Sequence, residues 1–373
     1  MSWQVNLVET VTGQVGRTLS PESGTWAIEL NKADSGSVKV SKDDVADIDR
    51  RRLSPWWASV LFSYVTPDGR VIPVCGGPIV SWPAEDEHSI TLDWRGMREM
   101  FTKRHLEKNY TLRGLSLGTI AWEVVQAGMD RPAGGLPVVH GSPYESKSTL
   151  NERTYEAWNL ANNNCEKRLT ELTNVINGPD MMFRPEWADE DMTRVRWAFV
   201  HGTSWDPTIA QDTTMVWDTT AAATHVTSPS VTSDGTQIVT RVFGTGAGEG
   251  EKTTRTQAES LALIREGWPA LESVISDQDQ AKAEPIRQKC LGELADSRRM
   301  VDQLSVTVYA AHEASPWGTW HVGDTVTVVL TDDWWSIPGG AHDMDIIKAS
   351  GDLTDMVKVE LQQGQWYAPA DLI

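Results

Sequence analysis

The sequence predicts an α+β protein, mainly β, built from two antiparallel β-barrels with helical and α+β insertions. Three observations predict it. Apolar and polar residues alternate from Trp3 to Trp94, the period of a half-buried strand. The period then changes to helical spacing between Ile120 and Ile176. Alternation returns at Leu304, Val306 and Val308, at Val326, Val328 and Leu330, and at Val357, Val359 and Leu361.

In the first block, Trp3, Val5 and Leu7 mark one strand, Trp26, Ile28 and Leu30 a second, Val38 and Val40 a third, and Ile90, Leu92 and Trp94 a fourth. Pro67-Asp68-Gly69 signals a turn between the apolar runs Ser59–Val65 and Val71–Val80. Turn residues recur roughly every eight to twelve positions, the rhythm of a closed or nearly closed barrel. Residues 1–104 are assigned to this first β-barrel.

Residues 105–203 are assigned to an α+β domain of helices plus a hairpin. Ile120, Ala121, Val124 and Val125 lie on one helix face. A longer helix is expected with Tyr155, Trp158, Ala161, Cys165, Leu169, Leu172 and Ile176 on one stripe, stopped by Gly178-Pro179. That stripe reads as core. Met181–Trp187 and Val195–Val200 predict a hairpin across the acidic turn Asp189–Asp191. Residues 204–250 and 301–373 are assigned to the second β-barrel, with Thr236–Phe243 as a strand. Residues 251–300 are expected to be a helical insertion, with helical pattern from Thr256 to about Arg299, broken at Pro269 and Pro285. Arg298 and Arg299 suit a helix C-terminus. No repeat of roughly 20 to 50 residues appears, which excludes a solenoid or propeller.

Composition bounds the function. The 373 residues suffice for two or three domains and a large core without disulfides or metal. Asp and Glu number 52 against 33 Lys and Arg, a net charge of −19, which excludes a protein that binds DNA through a basic face. Cys75, Cys165 and Cys290 are too scattered for a disulfide framework or a zinc site. There are 18 Trp beside 5 Phe and 6 Tyr, so indoles supply most of the aromatic area. A buried indole needs an acceptor for its N–H, which directs Trp to barrel interiors, edges and interfaces. The opening MSWQVNLVETV lacks the basic and apolar regions of a signal peptide, and Val71–Ala84 is too short and too broken by proline to span a bilayer. The expected compartment is the producing cell's cytoplasm or an assembly built there.

Several motifs resemble chemistry. Gly114-Leu115-Ser116-Leu117-Gly118 fits the nucleophile elbow of serine hydrolases. The preceding Lys103–Arg113 is too polar for the central strand an elbow needs, so Ser116 or Thr119 is expected to cap the next helix. A triad would draw on His140, His201, His225, His312, His321 or His342, none in a distinguishing context. Gly244 to Gly250 is a glycine-rich loop after a strand, but Glu249 and Glu251 would repel phosphate and Glu251 separates Gly250 from Lys252, breaking the P-loop pattern. His342-Asp343-Met344-Asp345 and Glu85-Asp86-Glu87-His88 lack the spacing of known cation loops and read as solvated turns. Trp56-Trp57 and Trp334-Trp335 could form a sugar platform. Adjacent strand residues face opposite ways, so each pair is expected to split between core and edge. No catalytic, cofactor-binding or metal residue is assigned, and the protein is read as not an enzyme.

A family resemblance rests on local segments in a fixed order. These are Trp3 to Gly13 (WQVNLVETVTG), Ile28 to Leu30, Pro55-Trp56-Trp57, Gly76-Gly77-Pro78-Ile79 and Leu92-Asp93-Trp94 in the first block. Ile176 to Pro185 stands at the helix-to-hairpin junction, Arg241 to Gly244 at the entry to the second barrel, Trp268 to Glu272 at the insertion, and Trp320 to Val326 in the last barrel. Across essentially the whole chain, this order resembles the baseplate or tail hub proteins of tailed phages, especially minor tail proteins of siphophages infecting Actinobacteria.

The resemblance implies a homotrimer at the distal end of a tail tube. Each subunit would give two tube-like barrels, so three would match the six-fold tube and the distal tail protein ring. Its partners would be that ring, the tape-measure protein and the spike or fibre proteins, with DNA only in transit, no cofactor and no membrane insertion. The protein would reside in the virion tail tip, assembled in the host cytoplasm. The acidic charge predicts channel walls that are neutral or negative, since lysine and arginine there would hold the phosphate backbone. The chain ends at Ile373, soon after its last predicted strand, so no built-in lytic or receptor-binding activity is expected. Competing readings are a hexameric distal tail adaptor protein, a carbohydrate-binding tail fibre module using the Trp pairs, and a serine esterase using Ser116.

Overall fold

The computed structural model describes residues 2–146, 151–175, 177–211, 215–221, 224–278, 280–297 and 301–363. Seven strands form the first block: β1 (Trp3–Glu9), β2 (Val15–Leu19), β3 (Pro21–Glu29), β4 (Ser35–Ser41), β5 (Ala58–Val65), β6 (Val71–Glu85) and β7 (Ser89–Arg95). A one-turn helix, α1 (Lys42–Val45), follows β4. The strands pair antiparallel in the order β2-β1-β5-β6-β7-β4-β3. Of the alternating residues expected on one face, Trp3, Val5, Leu7, Trp26, Ile28, Val38, Val40, Ile90, Leu92 and Trp94 are buried, and Leu30, just past the end of β3, is half-buried. Pro67-Asp68-Gly69 joins β5 to β6 as expected. Strand β6 serves two neighbours in turn, pairing over Val71–Pro78 with β5 and over Ile79–Glu85 with β7.

The middle segment holds β8 (Tyr110–Arg113), α2 (Leu117–Met129), β9 (Val138–His140), β10 (Glu152–Tyr155), α3 (Cys165–Thr173), β11 (Met181–Trp187) and β12 (Val195–His201). The hairpin forms in the expected register, Met181 opposite His201 and Trp187 opposite Val195, and β9 adds to β12 in parallel. Ile120, Ala121, Val124, Val125, Leu169 and Leu172 bury against Trp197 and Phe199 of the hairpin. The long helical stripe is corrected. Tyr155 belongs to β10, opposite Tyr110, and Trp158 sits in a 3-10 turn with its side chain 78 % exposed. The helix starts only at Cys165 because Asn162-Asn163-Asn164 precedes it. Asn164 caps the helix, its side chain accepting from the Lys167 amide at 3.1 Å. Ile176 of the stripe lies outside the described residues.

The chain continues through β13 (Val216–Asp218) and β14 (Val226–Asp234) into a small sheet of β15 (Arg241–Thr245), β16 (Arg255–Glu259) and β17 (Glu272–Ser276), ordered β16-β15-β17. A short helix α4 (Leu261–Arg265) lies between β16 and β17, and α5 (Ala283–Ser297) packs Ile286, Cys290 and Leu294 against Val242 and Ala258. The expected helical insertion is therefore an α+β module, with Thr256 in a strand. Its period-two signal is weak: the inward positions of β16 are only Thr256 and Ala258, and Arg255, Gln257 and Glu259 face away. Arg298 and Arg299 lie outside the described residues.

The last strands are β18 (Val301–Tyr309), β19 (Thr325–Leu330), β20 (Gly340–Gly351) and β21 (Met356–Gln363). The apolar triplets expected for β18, β19 and β21 are buried throughout. The two β blocks are not separate closed barrels. They are parts of one 13-stranded sheet, ordered β14-β18-β21-β20-β3 and on through the first block, and among the described residues neither block closes by pairing. The join exists because the 12-residue β20 outruns its neighbour. It gives Gly340–Asp345 to β19 and Lys348–Gly351 to β3, with Gly351 opposite Trp26.

Candidate functional site

Indoles concentrate where the two β blocks meet. The rings of Trp3, Trp26 and Trp317 lie 5.2 to 6.2 Å apart, Trp317 meets Trp320 at 4.6 Å, and Trp320 meets Trp217 at 5.5 Å. The Trp3 and Trp26 N–H groups are satisfied across the join and that of Trp217 within the second block. Trp3 Nε1 donates to Thr354 O (2.7 Å), Trp26 Nε1 to Asp352 O (2.9 Å) and Trp217 Nε1 to Ser315 Oγ (3.0 Å). Tyr64 Oη donates to Asp355 Oδ1 at 3.0 Å. The β20–β21 turn thus accepts three donors from the first block. Five of the 18 tryptophans meet here, and one hydrophobic cluster runs through both blocks.

Ser116 is the N-cap of α2. Its Oγ accepts from the Thr119 amide (3.2 Å) and donates to Thr119 Oγ1 (3.0 Å). Strand β8, just before it, pairs among the described residues only with β10, and its half-exposed residues do not make the buried central strand of a nucleophile elbow. Ser116→Ala is expected to cost about 1 kcal/mol in urea unfolding, the scale of a lost cap, and a fluorophosphonate probe should leave the protein unlabelled. Stoichiometric labelling abolished by that substitution would overturn the capping role.

The histidines form pairs that the sequence did not show. His140 Nε2 and His201 Nε2 are 2.8 Å apart, and His201 Nδ1 lies 2.9 Å from Gly202 O. The carbonyl can only accept, so His201 carries its proton on Nδ1, and its Nε2 accepts from His140. Trp122 stacks on His140 at 4.7 Å. Burial, then the neighbouring imidazole, lowers His140 to about 4, and burial lowers His201. The pair is neutral and locks β9 to β12. Gly118 makes room for it, since a Cβ there would lie 2.1 Å from His201 Nδ1. His225 stacks on His312 at 4.6 Å, and its Nε2 meets Ser315 Oγ at 2.7 Å. His342 Nε2 contacts Pro338 O, and His321 lies 3.6 Å from Asp324. The partners lie 61 and 87 positions apart in sequence, with no short spacing to reveal them.

The remaining motifs resolve into local structure. Gly244 and Thr245 end β15. The Gly246 and Ala247 amides donate to Thr254 O and Gln280 O, so they are not free to cradle a phosphate. Asp86 accepts from the amides of His88 and Ser89, which hold its carboxyl down to about 2, and Glu85 pairs with Lys42. His342, Asp343 and Asp345 lie on β20, with Asp343 bonded to Thr327 Oγ1, Asp345 to Thr325 Oγ1, and Met344 turned into the core. Among the described residues no three such side chains cluster as metal ligands. Neither Trp pair lies in a strand, and only the second splits between core and edge. Trp334 packs on the core while Trp335 is fully exposed, and Trp57 is more exposed than Trp56. Cys75, Cys165 and Cys290 are buried free thiols.

No family model matches the chain, and no curated protein matches it. Solved structures do. A tail protein from Neisseria meningitidis MC58 superposes with a TM-score of 0.55 at 15% identity, over 100% of this chain and 99% of that one. The 43 kDa tail protein of prophage MuSo2 from Shewanella oneidensis gives 0.55 at 12% identity, over 97% and 98%. Prophage tail protein gp18 from Listeria monocytogenes EGD-e gives 0.51 at 11%, over 99% and 97%. The chain has the fold of these tail proteins along its whole length.

Proposed function

We propose that this protein is a structural component of a phage tail tip. It acts as a trimeric baseplate hub, joining a six-fold tail tube and distal tail ring to a three-fold tip and leaving a channel for DNA. The observation that carries this reading is the end-to-end fold likeness to solved phage tail proteins. The two β blocks joined through β3 and β20 agree with it, because a subunit that offers two tube-like units lets three copies face six. Siphophage membership, contacts with the tape-measure protein and a place in the virion tail tip are parts of the same proposal, as is the division of the chain into two tube units, a middle α+β domain and an inserted module.

The test is a reconstruction of the assembled tail. Assembled tails are the right sample because a ring interface can depend on the layer above it. Three copies in one ring, each presenting both β blocks toward the axis, are expected. Six copies in a ring, or one β block per copy at the axis, would reject the hub reading in favour of a distal adaptor. The same map reads the channel wall, where Asp, Glu and neutral side chains should outnumber Lys and Arg. Wall residues matter most, since charge is screened over about 8 Å at physiological salt.

A further inference from the structure

A cleft of about 420 Å³ opens between the β3–β4 turn, the 3-10 helix Met97–Lys103 and α3. None of its lining residues belongs to the indole junction or to the histidine pairs. Its lining residues are polar apart from Ala33, although their aliphatic stems make most of the exposed wall, and its charges cancel: Lys32 and Arg98 against Glu99 and Glu166, with Thr102 and Thr170 among the neutral residues. Arg98 is the unusual member. Its side chain is 3 % exposed, and it holds Glu166 through Nε alone, at 3.0 and 2.9 Å to the two carboxylate oxygens. Nη1 and Nη2 find no acceptor among the described residues. A guanidinium normally meets a carboxylate through two parallel N–H groups. Here the two-pronged end is left over, in a buried position where unmade hydrogen bonds are costly.

We infer that this cleft receives a carboxylate of a neighbouring polypeptide, an Asp or Glu side chain or a chain terminus, seated end-on against Arg98 Nη1 and Nη2. A carboxylate fits that fork with both oxygens, and the hydrogen bonds are charge-assisted. Glu166 already balances one positive charge, so a doubly charged phosphate is disfavoured beside it and Glu99. Because the guanidinium is nearly sealed, side chains of the cleft wall must turn aside as the carboxylate enters. The inference stands on the cleft alone and does not depend on the tail reading.

The test follows backbone amide and Arg98 side-chain NMR signals of the full chain during titration with sodium acetate, acetamide, sodium phosphate and sodium chloride, with ionic strength matched across the series, and with a capped single glutamate. Saturable shifts at Arg98, Thr102 and Thr170 are expected with acetate, and at lower concentration with capped glutamate. Affinity should fall about tenfold or more in Arg98→Lys, which keeps the charge and loses the fork. Arg98→Lys disturbs a buried ion pair, so Asn174→Trp, at an exposed lining position of the cleft, provides a second variant that blocks entry and leaves Arg98, Glu166 and the Thr170–Glu166 hydrogen bond in place. Shifts equal with chloride or phosphate, shifts stronger with acetamide, or no saturable response would overturn the proposal. Capped glutamate binding no tighter than acetate would overturn the polypeptide source.

Discussion

Trp26→Ala should destabilise the protein by about 3–5 kcal/mol, the range for removing a large aromatic side chain from a packed core. Trp26 is buried among Trp3, Trp317 and the backbone of Gly351, where an added Cβ would lie 2.9 Å from the indole. The substitution removes three contributions together: the buried aromatic area, the ring contacts and the N–H donated to Asp352 O. Losing that donor leaves a carbonyl of the β20–β21 turn without its partner, which adds to the cost of the cavity. The effect should fall on the join between the β blocks, because β3 carries Trp26 and pairs directly with β20. Urea unfolding of Trp26→Ala beside Trp335→Ala checks this. The fully exposed Trp335 should cost within about 0.5 kcal/mol. Equal losses in the two variants would show that the indole junction does not hold the blocks together.

The same residues show how far the sequence could be read. Strong alternation placed β1, β3, β4, β7, β18, β19 and β21, because each buries an apolar face, although β1 also buries Asn6 and Val8 on its other face. The Met181–Val200 hairpin was legible as two apolar runs flanking an acidic turn, and the cap at Ser116 because it depends only on neighbours in sequence. What was lost depends on distance or on weak contrast. The β3–β20 pairing brings Glu29 opposite Lys348, and no local pattern states that two strand blocks will share an edge. Strand β16 has only Thr256 and Ala258 inward, too little apolar contrast to outweigh the surrounding helix-forming residues. The Tyr155 stripe had helical spacing, but three consecutive asparagines set the start of the helix at Cys165, ten residues after Tyr155. The tryptophan count did indicate that interfaces would be built from indoles. It could not say which, since Trp3, Trp26, Trp217, Trp317 and Trp320 meet only in the folded chain.

Asp34→Asn should stabilise the protein in neutral and alkaline solution and lose that advantage in acid. Asp34 lies just before β4, buried beside Gly96, whose amide donates to the Asp34 carbonyl at 2.7 Å. Burial pushes its carboxyl from an ordinary 3.8 up to about 8. The sign follows from comparing the two states. Below about pH 4 the carboxyl is neutral whether the chain is folded or unfolded, and it costs nothing. As pH rises from 4 to 8, the unfolded chain ionises while the folded one stays protonated, so stability is lost steadily. Above about pH 8 both states ionise and the loss levels off. At 1.36 kcal/mol per pH unit the loss reaches about 4 kcal/mol at pH 7. An asparagine amide keeps the shape and never ionises, but its buried N–H groups need acceptors and return about 1–3 kcal/mol of that gain. The difference between pH 5 and pH 8 is therefore a cleaner readout than stability at one pH, because the amide penalty is the same at both and cancels. Urea midpoints of the two proteins should move apart by the equivalent of several kcal/mol over that interval, with the variant ahead at pH 8. A gap that stays constant with pH would mean that Asp34 is ionised in the folded chain, with its charge reached by water or by a cation.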